Sequence, residues 1–106
     1  MSHKTFTVSN VTVTVSTRDV YVLVYRRHGI RVKTSTQVAS IDGSITLDGT
    51  AGTAQASGSG TNTKRVDIMG PRFGGVLVPQ PYQHVSFNVT IGVGSQTGQI
   101  SDALMF

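Results

Sequence analysis

The 106-residue chain has no cysteine, no tryptophan and no glutamate. Without cysteine it can form neither a disulfide nor a thiolate metal site, and cysteine usage says nothing about its redox compartment. Without glutamate, its five acids are all aspartates, and most of these sit in Asp-Gly pairs or at strand ends. His3, His28 and His84 are scattered. No nucleophile motif marks a serine, and no histidine spacing suits a metal. An enzyme is not expected, nor is a cofactor or a metal. Aromatics are 7% of residues, so extensive base stacking is not expected, although Tyr21, Tyr25 or Tyr82 could offer one stacking surface. No apolar run approaches membrane-spanning length, and MSHKTFTVSN lacks the apolar core of a signal peptide. The expectation is a protein made in the cytoplasm, with no membrane partner.

What remains is small, β-prone and basic. The length suits one domain, 1–106. Nine Lys and Arg against five Asp give a net charge of +4. A small basic protein is drawn to polyanions, and nucleic acid is the usual one.

Thr and Val dominate, and both favour strands. In residues 5–16, TFTVSNVTVTVS, the alternation changes phase near Ser9-Asn10, as at a bulge or tight turn. Residues 19–26, DVYVLVYR, are apolar on both sides and read as one strand buried on both faces. RRHG, 26–29, reads as a turn with Gly29 at positive φ. SIDGSITLDGT offers two Asp-Gly turns around a short strand. GTAGTAQASGSGTNT, 49–63, reads as a flexible loop in which TAQAS could hide a short strand. Ile100, Ala103 and Leu104 have helical spacing, so one short C-terminal helix is the most expected. The fold class is mainly β: an antiparallel sheet with an N-terminal hairpin, or alternatively a β-sandwich.

Three strands can share an apolar face made of Ile30, Val32, Val66, Ile68 and Val85 to Ile91. If they lie in one sheet, period two places Arg31, Lys33 and Ser35, then Thr63, Arg65 and Asp67, then Ser86, Asn88 and Thr90 together on the reverse. Cations there suit phosphates, while hydroxyl and amide groups suit bases and sugars. An ordinary solvated sheet face carries the same polarity.

The stretch GGVLVPQPYQHVSFNVTIGV, 74–93, preceded by TKRVDI and followed by SQTGQISDALMF, resembles the coat proteins of single-stranded RNA bacteriophages. The opening MSHKTFTVSNVTVTVS is similar to that family's N-terminal hairpin. The resemblance implies a virion capsid subunit whose homodimer forms a continuous antiparallel sheet. It also implies a shell whose inner sheet face binds single-stranded genomic RNA. Carried over by position, Asn88 and Arg65 match RNA-contacting residues of the family, with Ser86 and Thr90 flanking Asn88 on the same face. Arg31, Lys33 and Thr63 complete the expected site. Gly74, Gly75 and Pro79 would belong to the loop at the shell's symmetry axes. Family members continue into helices that cover the apolar face; this sequence stops at Phe106. The cover must then come from a second sheet, for which residues 20–25 are a candidate, or from a partner subunit. Two rivals stand beside the coat subunit: a phage decoration or tail β-sandwich, and a small basic β-barrel that binds nucleic acid.

Overall fold

The computed structural model describes residues 2–22, 24–50, 52–74 and 82–106. These form antiparallel strands, with no helix among them: β1 (His3–Val8), β2 (Val11–Val22), β3 (Tyr25–Gly49), β4 (Gly52–Met69), β5 (Phe73–Gly74), β6 (His84–Val93) and β7 (Gln96–Met105). The mainly-β expectation holds. The C-terminal helix does not: Gln96–Met105 is a strand, with Ile100 and Leu104 facing inward and Ala103 exposed. Positions 100 and 104 fit both periods; pairing along β6 decides for the strand.

Strand β3 organises the molecule. Its first part, residues 25–34, pairs with β2 on one side and with residues 65–69 of β4 on the other. Its second part, residues 38–49, pairs with β6 on one side and with residues 52–63 of β4 on the other. Between Lys33 and Val38 the register shifts. Opposite this bulge, Asn62 takes a left-handed φ of 49°. The β3–β4 hairpin therefore folds over on itself, and one continuous sheet becomes two leaves. The first leaf is β1, β2 and the adjoining parts of β3 and β4. The second is the remaining parts of β3 and β4 with β6 and β7.

The fold-over is sharp. Ten residues of straight strand span about 33 Å. Yet a Cβ built on Gly58 would stand 3.2 Å from Cγ1 of Ile68, ten residues further along the same strand. The inner positions of both leaves form one core. The first leaf supplies Val11, Val13, Val15, Ile30, Val32, Val66 and Ile68. The second supplies Ile41, Ile45, Leu47, Val85, Phe87, Val89, Ile91, Ile100 and Leu104. Phe6 meets Phe87 edge to face, with centroids 6.2 Å apart. The first leaf as a whole thus covers the apolar face of β6. Burying each such side chain contributes about 1.5–3 kcal/mol.

Four local expectations are corrected. Residues 19–26 are not one strand: β2 ends at Val22, Val24 lies in a turn, and β3 begins at Tyr25. RRHG lies within β3, and its glycine is needed for space: a Cβ on Gly29 would stand 2.0 Å from the Ile68 carbonyl oxygen. Asp42-Gly43 lies in mid-strand, so only Asp48-Gly49 leads into a turn. Residues 52–63 are strand, not loop. The phase change at Ser9-Asn10 is a two-residue hairpin turn with both residues at positive φ, 47° and 66°, as a type I′ turn requires.

Candidate nucleic-acid interface

The fold separates the residues that period two alone would put together. Arg31 and Lys33 on β3 and Arg65 and Asp67 on β4 do lie side by side on the outer face of the first leaf. Ser86, Asn88 and Thr90 lie on the outer face of the second leaf, where their neighbours are Thr46, Ser44 and Asp42. The leaves share one core, so these outer faces look away from each other. Thr63 stands at the corner, where its hydroxyl accepts from the Arg65 N–H at 3.2 Å. The expected single polar face is therefore two faces of different character.

The first is basic. Arg31 donates from Nε and Nη2 to the two Asp67 carboxylate oxygens at 2.9 and 3.2 Å. Those hydrogen bonds, together with the charges of Arg31, Arg65 and Arg18, hold the Asp67 carboxyl below its ordinary range against the opposing effect of its own partial burial. Arg18, on β2, reaches within 3.9 Å of the same carboxylate. Lys33 and Arg65 sit directly opposite each other across the β3–β4 pair. Both are exposed, and neither has an ion-pair partner among the described residues. Like charges opposed in this way cost stability unless an anion lies over them. Arg27 shares this face, donating from Nε to the Gly70 carbonyl at 2.8 Å. The arrangement gathers several cations around one carboxylate and leaves guanidinium N–H groups and an ammonium for phosphate oxygens.

The second face is hydroxyl-rich, and the charges β3 gives it are the two carboxylates of Asp42 and Asp48. β3 places Ser44, Thr46, Asp42 and Asp48 there, and β6 adds Ser86, Asn88 and Thr90. The Asn88 amide oxygen accepts from Gln99 Nε2 at 2.8 Å. Of the tyrosines, Tyr82 is buried, while Tyr21 and Tyr25 are covered by the guanidinium groups of Arg26 and Arg72 at 4.3 and 4.4 Å. Tyr21 nevertheless stays 54% exposed. Gly74 ends β5, whereas Gly75 and Pro79 lie outside the described residues.

One polar cluster escaped the sequence reading. Arg26 and His28 point inward from β3, at 7% and 1% exposure. Asp19 receives Arg26 Nη2 at 2.8 Å through one oxygen, and its other oxygen stands 3.2 Å from His28 Nδ1. The His28 ring lies between Phe73 and Phe106, with centroids 5.0 and 4.7 Å away. Burial pushes the His28 pKa down, Asp19 opposes this, and Arg26 adds to it. The signal was present in the inward phase that Arg26 and His28 share with Ile30 and Val32, but reading RRHG as a turn concealed it. Among the described residues, no group of three or more His, Cys, Asp or Glu could hold a metal, and no helix is long and apolar enough to cross a membrane. Comparison with protein-family models, curated proteins and solved structures finds no match.

Proposed function

We propose that this chain is a viral structural protein, a coat subunit that assembles with copies of itself into a shell and contacts single-stranded RNA. The contact face in this reading is the outer surface of the first leaf. The observation that carries it is Lys33 facing Arg65 without an intervening acid, beside Arg31 and Arg18. A polyanion laid across that face would relieve the repulsion and release counterions. The resemblance of residues 74–93 and their flanking stretches to RNA-phage coat proteins supports the shell part of the reading. It also sets the proposed setting: synthesis in the host cytoplasm and residence in the virion.

A second reading has its own support. The apolar face of β6 is covered within one subunit, so no partner is needed to complete the core. A small basic β domain that binds nucleic acid as a monomer fits that fact.

Expression of the chain alone decides between them. Nucleoprotein shells in electron micrographs support the coat subunit. A soluble monomer that shifts RNA in a gel supports the second reading. Absence of both, with no RNA retained, defeats the two together and favours a decoration or tail protein. Lys33→Gln with Arg65→Gln should reduce RNA retention and lower the salt slope by about 1.4, for two lost single-strand phosphate contacts. Ser86→Ala with Asn88→Ala, on the opposite leaf, should leave retention unchanged. Equal RNA content in the first variant and the parent would place the contact elsewhere.

A further inference from the structure

A folded sheet leaves edges, and this one treats them unequally. β1 and β7 end the strand order, and they close on each other through side chains. Lys4 and Asp102, both exposed, pair across these two strands at 2.7 Å. Ser2 Oγ donates to the Met105 carbonyl, and Ser9 Oγ meets Gln96 Oε1 at 2.9 Å. Gly98 lets Val8 approach so closely that an added Cβ would stand 2.5 Å from Val8 Cγ1. Charged side chains on an edge and a covered edge are ordinary defences against unwanted strand pairing.

The outer edge of β4 has no such defence. Among the described strands β4 pairs only with β3. Residues 52–62, GTAQASGSGTN, contain neither a charge nor a proline. Every second residue along this stretch turns its N–H and C=O away from β3, and that row of groups is a template for another strand.

We propose that a second copy of this chain pairs there, β4 against β4, antiparallel about a two-fold axis. Charge permits this occupant at this edge. Each copy carries +4, so two copies repel, and most weakly where the approaching surfaces are uncharged. An acidic partner would be drawn instead to the outer face of the first leaf. Symmetry also fits, because an antiparallel edge is complementary to itself. Inner positions 54, 56, 58 and 60 must meet inner positions of the partner, since a one-residue slip would turn every side chain over. Opposed residues then have numbers that add to an even total, and the axis passes between a residue such as Ser57 or Gly58 and its own copy. The pairing deepens the self-assembly part of the reading above, and it does not depend on RNA.

The test uses the full chain, nuclease-treated and held in high salt so that nucleic acid cannot bridge copies. Sedimentation should show a monomer–dimer equilibrium. Hydrogen exchange should show amides of residues 53–61 gaining protection as concentration rises. Gln55→Lys with Ser59→Lys places charge at two exposed outer positions of β4. That variant should sediment as a monomer, with unchanged circular dichroism and melting temperature. A parent chain that stays monomeric throughout would overturn the proposal. So would a dimer that survives both lysines without protection of residues 53–61. Lys33→Gln with Arg65→Gln, losing RNA yet keeping the dimer, would show the edge pairing standing while the RNA face is examined separately.

Discussion

Two strands flank the second half of β3, and they are built from opposite materials. β6 fills its inner positions with Val85, Phe87, Val89 and Ile91. The facing part of β4 fills the equivalent positions with Ala54, Ala56, Gly58 and Gly60. Both alternate with polar outer residues, and both are fully paired to β3. The difference lies in what stands opposite. β6 looks across the sandwich at the first leaf, where Phe6 and the valines of β2 leave room for large side chains. β4 looks at its own continuation beyond the corner, where Val66 and Ile68 already fill the space. Inner side-chain size is set by the gap to the opposing surface and not by strand propensity.

The largest break in this comparison should come from β6. Phe87→Ala empties a packed site facing Phe6, and a loss of about 3–5 kcal/mol is expected in chemical denaturation. The converse change on β4 should cost less. A Cβ on Gly58 already meets Ile68 at 3.2 Å, so Gly58→Val must push the folded hairpin apart, costing about 1–3 kcal/mol by the same measurement. If Gly58→Val were neutral, the small residues would owe nothing to the fold-over.

A third stretch of inner face sharpens the contrast, because it is filled with polar groups. Burial lowers the His28 pKa in the folded state, so the unfolded chain takes up its proton first as pH falls. The stabilisation is complete above the ordinary histidine value of about 6.5 and is lost as pH falls through the lowered folded value. Melting temperature should therefore decline as pH falls below about 6.5, and this component should level off below the lowered folded value. In His28→Leu this component of the decline should be absent; an unchanged slope would show that another group titrates.

Much of the fold could be read in the chain. The β6 alternation was plain because its inner residues are large and apolar. The Ser9-Asn10 turn was plain because the hydrophobic phase slips there. Residues 52–63 were hard to read because hydrophobic periodicity is weak where inner positions are Ala and Gly. Yet Thr53, Gln55, Ser57, Ser59 and Thr61 alternate with Ala54, Ala56, Gly58 and Gly60 without exception. Small against polar is itself a period of two. The candidate site was legible in part. The outward phase of Arg31, Lys33 and Arg65 follows from local alternation, and their neighbourhood follows from β3–β4 pairing. The grouping with Ser86, Asn88 and Thr90 failed because alternation says which side of a strand a residue takes, not which way that side finally looks.

By itself the sequence determined that the chain is basic, β-rich and thiol-free, and which residues of each strand share a side. These are local properties, carried by side-chain chemistry and the two-residue repeat of an extended backbone. Only the tertiary structure decided where β3 and β4 bend, and with that bend the division into a cationic face and a hydroxyl-rich face. The bend draws on contacts between residues far apart in the chain, such as Ile68 and Val89 with the space left by Gly43. No window of neighbouring residues contains both partners.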